Sequence, residues 1–498
     1  MRSLPEALLA SAARGPERLF CRFERAEQRW GELLERVRRA AGLLASRGVR
    51  RGDRIALYLP NRPAFVEAYL GALFLGGVAV PMNTGYRESE LTHLVRDAEP
   101  ALIVTDGAGA GELAGIAGDR LLVLGEEPAA WDAPPQPAPA PLGGDDLALL
   151  GYTSGTTGRS KGAMLTHGNF LANSAAVTGA WGWTGGDHLL LALPLFHMHG
   201  LGVGLHGTLT QGSSLTLRAR FDAADVAATL ADGRSTLFFG VPTMYHRLLA
   251  ELRGGAPRPA GVRLFVSGSA PLPAETLLAF EALTGARILE RYGMTETAMN
   301  TGNPLRGERK PGSVGLPFDG VALRLAHPKS GAAVAGGEVG EVQLRGPNVF
   351  AGYWRNAEAT REAFTPDGWF RTGDLGRRDE GGYLFLTGRA RELIISGGLN
   401  VYPREVEEAL LSCDGVLEAA VLGQPDADLG ERVVAAIVTG ERDVDVAALR
   451  SAVAARLAAF KVPKEIHVVD ALPKNAMGKV QKPLLAERLR ASGQAARS

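Results

Sequence analysis

The sequence predicts a multi-lobed α/β protein. A large N-terminal part is built of α/β layers, a β-rich lobe follows, and a small α+β module closes the chain. Three observations predict this. Apolar runs of strand length alternate with amphipathic runs of helical period as far as Thr301. From about residue 310 the texture changes to short strand runs with Gly-rich turns. After Gly388-Arg-Ala-Arg-Glu392 a helix, strand, strand, helix, strand order follows. A chain of 498 residues is long for one core. The expected division is 1–388, a hinge at 389–392 and a C-terminal domain at 393–498.

Taken in order, Leu4–Ala12 reads as a helix and Leu19–Phe23 as a strand. Trp30, Leu33, Leu34, Val37, Ala40, Ala41, Leu43 and Leu44 recur at helical spacing. Ile55–Leu59 is a buried strand, Phe65–Leu75 an apolar helix, Leu91–Asp97 a short helix and Ala101–Thr105 a strand. Gly107–Pro141 is rich in Ala, Gly and Pro, with one strand expected at Leu121–Leu124 and a surface connection over Glu127–Pro141. Strands are then expected at Leu147–Leu150, Asp187–Leu195, Thr236–Gly240, Leu264–Ser267 and Ala286–Glu290. The last three end in polar, small or charged residues, as at the carboxyl edge of a mostly parallel sheet. Gly312–Pro317, Val321–Ala326, Gly340–Arg345 and Gly382–Thr387 form the β-rich lobe. Pro403–Leu411, Val416–Val421, Arg432–Val438, Asp445–Ala455 and Glu465–Val468 form the last module, with Glu405 and Glu407 on its helix surface.

Composition excludes several classes. Fifty-four basic and 54 acidic side chains cancel, so there is no nucleic-acid footprint and no bulk attraction to an anionic membrane. Cys21 and Cys413 lie far apart and match neither a disulfide framework nor a zinc spacing, which fits a reducing compartment. The N-terminus lacks the apolar run of a signal peptide. Phe65–Val80 is interrupted by Glu67 and is too short to span a bilayer. The expected location is therefore cytoplasmic, without integral membrane association. Monomer and homodimer both stay open.

The chemistry begins at Tyr152–His167. Thr153, Ser154, Thr156 and Thr157 can donate to phosphate oxygens, Gly155 and Gly158 let backbone approach an anion, and Lys161 adds a positive charge. The spacing is not that of a P-loop, because Gly162 follows the lysine. Alone, the stretch is a polar turn between a strand and a helix. Further on lie segments suited to the rest of a nucleotide. Ser267–Ala270 is small enough for a flat ring, with Ser269 and Ala270 at its end, and Tyr292 can complete a base slot. Asp374 can accept from ribose hydroxyls, and Glu296 offers a hard carboxylate to magnesium. Lys479, in a turn-rich stretch, can carry its charge to a phosphate on a flexible stem. His197 and His199 follow a strand end, but no zinc-ligand spacing joins them.

Residues 152–167, Tyr292–Thr297, Phe370–Asp374, Gly388–Glu392 and Pro473–Lys479 resemble, in order, the core motifs of the adenylate-forming acyl-CoA synthetase superfamily. The resemblance spans essentially the whole chain. It implies a two-step reaction. A carboxylate attacks the α-phosphate of ATP to give an acyl-adenylate and pyrophosphate, and coenzyme A then displaces AMP. It implies that Thr156 and its loop hold the ATP phosphates. Glu296, with Thr156, would bind magnesium, and Thr295 would contact the α-phosphate. Glu290, Gly293 and Met294 belong to the same nucleotide-binding motif. Asp374 would take the ribose, Arg389 would lie near ribose and phosphate, and Lys479 would stabilise charge in adenylation. Arg391 stands at the hinge position, where the family usually has lysine or aspartate, and Gly397 and Gly398 lie in a loop on the coenzyme A side.

The strings Pro194–Gly200, Glu290–Thr301 and Ser396–Pro403 resemble the malonyl-CoA synthetase branch, Met299, Asn300 and Thr301 above all. The resemblance implies malonate, and methylmalonate with it, as the acid. A dicarboxylate needs a cation for its unreacting carboxylate, since an unpaired buried charge is costly. Arg247 and Arg291 are the candidates, with His199 and Met299 lining the acyl pocket. The competing readings are a synthetase for a short, fatty or aromatic monocarboxylate, a stand-alone adenylation enzyme, and a non-catalytic nucleotide-binding protein. Pocket arginines set the first apart from malonate. The presence of Glu296 and Lys479 argues against the last.

Overall fold

The computed structural model describes residues 1–498 except 128, 154–159, 329, 398, 427, 441–443, 476–477 and 496–498. The chain forms two compact units. One comprises Met1–Ala322 with Leu344–Phe370, the other Leu323–Gln343 with Arg371–Ser498.

The first unit is built on two sheets. One has nine strands, and its six central strands Leu19–Phe23, His188–Leu191, Ser214–Leu217, Leu237–Gly240, Leu264–Ser267 and Ile288–Met294 are parallel to one another. The other has six strands and is parallel except at its edge, where Leu147–Thr153 pairs antiparallel with Lys161–Thr166. Every residue of helix Pro63–Phe74 from Ala64 onward is buried, which explains its lack of a polar face. The sheets are stitched by Asn61, whose amide donates to the carbonyls of Leu193 and Arg218 and accepts from the Leu195 N–H. Three aromatic side chains, Phe238, Tyr245 and Phe265, join Phe280 in the core beneath the larger sheet.

Two elements differ from expectation in this unit. Gly107–Ala117, to which the Ala- and Gly-rich sequence assigns no element, is a helix. Asp106 caps it by accepting from the Gly109 N–H at 2.9 Å, and Leu113 and Ala117 bury its inner face. Lys161–Thr166 is a strand paired antiparallel with Leu147–Thr153, so the Gly-rich stretch joins two strands of a β-hairpin rather than a strand and a helix. Ala163 and Leu165 are buried on this strand. It ends where Thr166 and Asn169 exchange hydrogen bonds at the start of helix His167–Ala180, a capping box.

The second unit holds a four-stranded sheet that includes Phe370–Arg378 and Leu384–Arg389, and a five-stranded sheet dominated by the antiparallel pair Val416–Asp426 and Gly430–Thr439. Helices Pro403–Leu411 and Val446–Ala454 cover one face of that pair through Val406, Leu410, Leu449 and Val453. Leu485 and Leu489 from helix Lys482–Ala495 pack against Ala420, Leu422 and Val434.

Candidate active site

Three segments of the first unit converge on the root of the hairpin. Thr153 and Lys161 are register partners, the last described pair of the hairpin ladder. Ser154, Gly155, Thr156, Thr157 and Gly158 lie outside the described residues. Beside the hairpin runs the turn that carries Thr295 and Glu296. A Cβ at Gly151 would lie 2.5 Å from Thr295 Cγ2, so glycine allows the close approach. The third segment is Phe350–Trp354. The Phe350 N–H donates to the Glu296 carbonyl at 2.8 Å, and the Trp354 N–H donates to the Gly162 carbonyl at 2.7 Å. Tyr353 lies between them. Its hydroxyl donates to Glu296 Oε1 at 3.0 Å, and Lys161 Nζ sits 5.3 Å from its ring centroid. Burial, then the charge and hydrogen bond of Glu296, push the Tyr353 phenol well above its ordinary range, so it stays a donor.

The strand expected to stop at Glu290 continues to Met294 and turns back into Ala298–Gly302, so Thr295–Thr297 is a hairpin turn. This matters for Arg291. Strand alternation puts Glu290 and Arg291 on opposite faces. Glu290 Oε1 accepts from the Leu272 N–H at 3.1 Å. Arg291 is 3 % exposed, and its Nε and Nη2 have no hydrogen-bond partner among the described residues. Burial alone draws this guanidinium below its ordinary range, down to about 9. Gly268 makes room for it, since a Cβ there would lie 2.5 Å from the guanidinium carbon. His199 is fully buried, both ring nitrogens lack partners among the described residues, and it stacks on Phe239 at 6.2 Å. Burial, then the positive charge of Arg291, hold His199 well below its ordinary pKa, so it is a neutral ring with one donor and one acceptor to offer. Buried Met299 exchanges backbone hydrogen bonds with the Asn173 amide. Ser269 adopts φ +71°, in the left-handed region, and with Ala270 is partly exposed. Tyr292 is buried, with its hydroxyl 3.8 Å from the Met294 sulfur. A Cβ at Gly293 would strike the Ala298 carbonyl at 2.1 Å. Arg247 differs from its expected setting. It is exposed on helix Pro242–Arg253, whose inner face carries Tyr245, Leu248, Leu249 and Leu252, and it does not share the burial of Arg291.

In the second unit, Asp374 and Arg389 are paired across neighbouring strands, and Arg389 Nε lies 3.0 Å from Asp374 Oδ1. Lys479 is exposed as a residue, with its backbone N–H bonded to Asn475 Oδ1. Desolvation of its ammonium, then the charges of Arg389 and Arg391, draw its pKa down to about 8 against the pull of Asp374 and Glu392. Arg391 is depressed by burial and by Arg389. The Gly397 N–H donates to the Leu429 carbonyl at 2.8 Å, and Gly398 lies outside the described residues. Glu407 is not a plain surface residue. It accepts from the Val421 N–H and from Lys482 Nζ, each at 2.8 Å, and Lys482 also reaches Glu392 at 3.2 Å.

The AMP-binding enzyme family profile matches residues 8–354, and the AMP-binding enzyme C-terminal domain profile matches 405–479. This chain belongs to the AMP-binding enzyme family. The AMP-binding enzyme is 40 % identical to a feruloyl-CoA synthase from Amycolatopsis sp over 459 residues, 91 % of this chain and 92 % of that protein. It is 35 % identical to a malonate–CoA ligase from Arabidopsis thaliana over 483 residues, 89 % of this chain and 79 % of that protein. The crystal structure of ATP-bound MatB from Rhodopseudomonas palustris superimposes with a TM-score of 0.92 at 40 % identity, covering 98 % of this chain and 99 % of that one. The AMP-binding enzyme is thus an ATP-dependent carboxylate–CoA ligase of the AMP-forming class, working through an acyl-adenylate.

Among the described residues of this AMP-binding enzyme, no three His, Cys, Asp or Glu side chains cluster as a metal site, and no helix is long and apolar enough to cross a membrane. One carboxylate held by a tyrosine, beside a nucleotide, suits magnesium, which takes its other ligands from phosphate and water. Sequence reasoning missed Tyr353. Its signal was an aromatic pair, Tyr353-Trp354, directly after Gly352.

Proposed function

We propose that this enzyme joins coenzyme A to malonate, and to methylmalonate with it, by way of malonyl-adenylate. One observation carries the choice of acid: Arg291, a buried guanidinium that, among the described residues, has no acid to balance it and two nitrogens without partners. A buried cation left unpaired is costly, and a ligand anion offsets that cost. Malonate brings one carboxylate to react and another to pair with Arg291. Neutral His199, beside it, offers a hydrogen bond to the same group. A ferulate or fatty acid chain has no charge to offer there.

In the first step an oxygen of the reacting carboxylate bonds to the α-phosphorus, the bond from that phosphorus to the bridging oxygen breaks, and pyrophosphate leaves. Thr153 and Lys161, with the hairpin tip, hold the departing phosphates, and Thr295 serves the α-phosphate. Glu296, oriented by Tyr353, would hold magnesium, which neutralises phosphate charge when bound. Asp374, fixed by Arg389, accepts from the ribose hydroxyls. Lys479 stabilises the charge that builds at phosphorus. In the second step the sulfur of coenzyme A bonds to the acyl carbon and AMP departs, with Arg391 as the hinge of the C-terminal domain and the Gly397 loop serving coenzyme A.

The test is a panel of malonate, methylmalonate, propionate, ferulate and a fatty acid with ATP, magnesium and coenzyme A, following acyl-CoA, AMP and pyrophosphate. Malonate is expected to give equal yields of all three products and the highest kcat/KM. If ferulate or propionate leads, the choice of acid is wrong and the reaction class stands.

A further inference from the structure

The hairpin that carries the phosphate-binding residues is gripped at both of its roots by one helix. On helix Glu88–Ala98, His93 and Asp97 are four residues apart and so share a face. His93 Nε2 donates to the Ser160 carbonyl at 2.8 Å, on the chain just leaving the tip. The Tyr152 hydroxyl donates to Asp97 Oδ2 at 2.6 Å, on the chain just entering it. Tyr152 and Gly162 are register partners, and Thr153 and Lys161 follow as the next pair. Burial and the Asp97 carboxylate both raise the Tyr152 phenol, so its proton stays in place for the bond. A third bond links the same helix to the segment beside Glu296, as Trp354 Nε1 donates to the Asp97 carbonyl at 3.1 Å.

The helix is itself fixed. Leu91, Leu94, Val95 and Ala98 are buried in the core against which Tyr152, Met164 and Trp354 pack. A two-stranded hairpin held only by its ladder can tilt about its base. Bonds on both sides of the tip remove that freedom. The His93 bond also sets the peptide plane between Ser160 and Lys161, and therefore the start of the strand that carries the lysine.

We propose that helix Glu88–Ala98, through His93 and Asp97, sets the position of the phosphate hairpin, so that both are positioning residues for ATP. The proposal rests on reading this hairpin as the ATP-phosphate site. It is tested by ATP KM, acid KM and Tm for His93→Ala, His93→Gln, Tyr152→Phe and Lys161→Ala. Losing one hydrogen bond that orders a binding segment is expected to raise ATP KM about fivefold in His93→Ala and in Tyr152→Phe. Acid KM and Tm should hardly move, and His93→Gln, which keeps a donor, should recover most of the loss. Unchanged ATP KM in both variants while Lys161→Ala raises it overturns the positioning role. A fall in Tm with ATP and acid KM rising together overturns it too, because the contacts are then merely structural. If Lys161→Ala also leaves ATP KM unchanged, the reading of the hairpin fails, and this inference with it.

Discussion

Replacing Arg291 with methionine separates binding from stability, because the two should move in opposite directions. A guanidinium drawn by burial down to about 9 carries a burial cost on the order of several kcal/mol. The sign follows from the direction. The depressed group costs stability at every pH below about 9, and the cost is relieved as pH rises from there toward the ordinary guanidinium range. Methionine removes the charge and keeps an apolar chain beside Gly268. The unliganded Arg291→Met protein should therefore be as stable as the parent or more so, by about 1–4 kcal/mol. Malonate faces the reverse. Its distal carboxylate would have to be buried without a partner, a loss of about 3–5 kcal/mol, or roughly two to three and a half orders of magnitude in kcat/KM. Propionate, with a methyl group where that carboxylate stood, should gain on malonate. The assay is acid-dependent AMP release at saturating ATP and coenzyme A, alongside urea unfolding of the unliganded protein. Malonate kcat/KM within about threefold of the parent, in a variant that still turns over, would refute the pairing.

Other residues give sharper readouts of the nucleotide half. Adenylation should slow with rising pH as Lys479 loses its proton; since the residue is solvent-accessible, water offsets part of the depression and the limb should fall between about 8 and its ordinary 10.5. Lys479→Ala should abolish that limb along with most of the adenylation rate, as measured by pyrophosphate exchange. Tyr353→Phe frees Glu296 Oε1 from its hydroxyl donor, and the magnesium concentration for half-maximal rate should rise about tenfold with kcat retained at saturation. Lys482→Met leaves Glu392 and Glu407 without their shared cation and should lower the stability of the second unit by about 2 kcal/mol, while Lys482→Arg keeps most of it. Hydrogen exchange in strands Val416–Asp426 and Gly430–Thr439 reports that change.

The parallel strands were legible because Leu237–Gly240, Leu264–Ser267 and Ile288–Leu289 are fully apolar or small, as strands buried on both faces must be. The nucleotide motifs were legible because glycine, hydroxyl and carboxylate side chains at those spacings have few other uses together. Strand Lys161–Thr166 was hidden. Glycines at 158 and 162 read as loop, and the alternation of Ala163 and Leu165 is too short to outweigh them. Helix Gly107–Ala117 was hidden for a similar reason, since its glycines mask an Asp cap and the inward spacing of Leu113 and Ala117. Arg247 and Arg291 look alike in sequence. Only the strand extending past Glu290 buries one, while the helix turns the other outward. Tyr353 and His93 act on the site from segments distant in sequence, which no local pattern reveals.

The most direct measurement is the ratio of kcat/KM for malonate to that for propionate in the unaltered enzyme. The two acids differ only in the group assigned to Arg291. A buried guanidinium without another partner predicts a ratio of about a hundred or more. A ratio near one, or a preference for propionate, would contradict the assignment of that buried cation to the substrate.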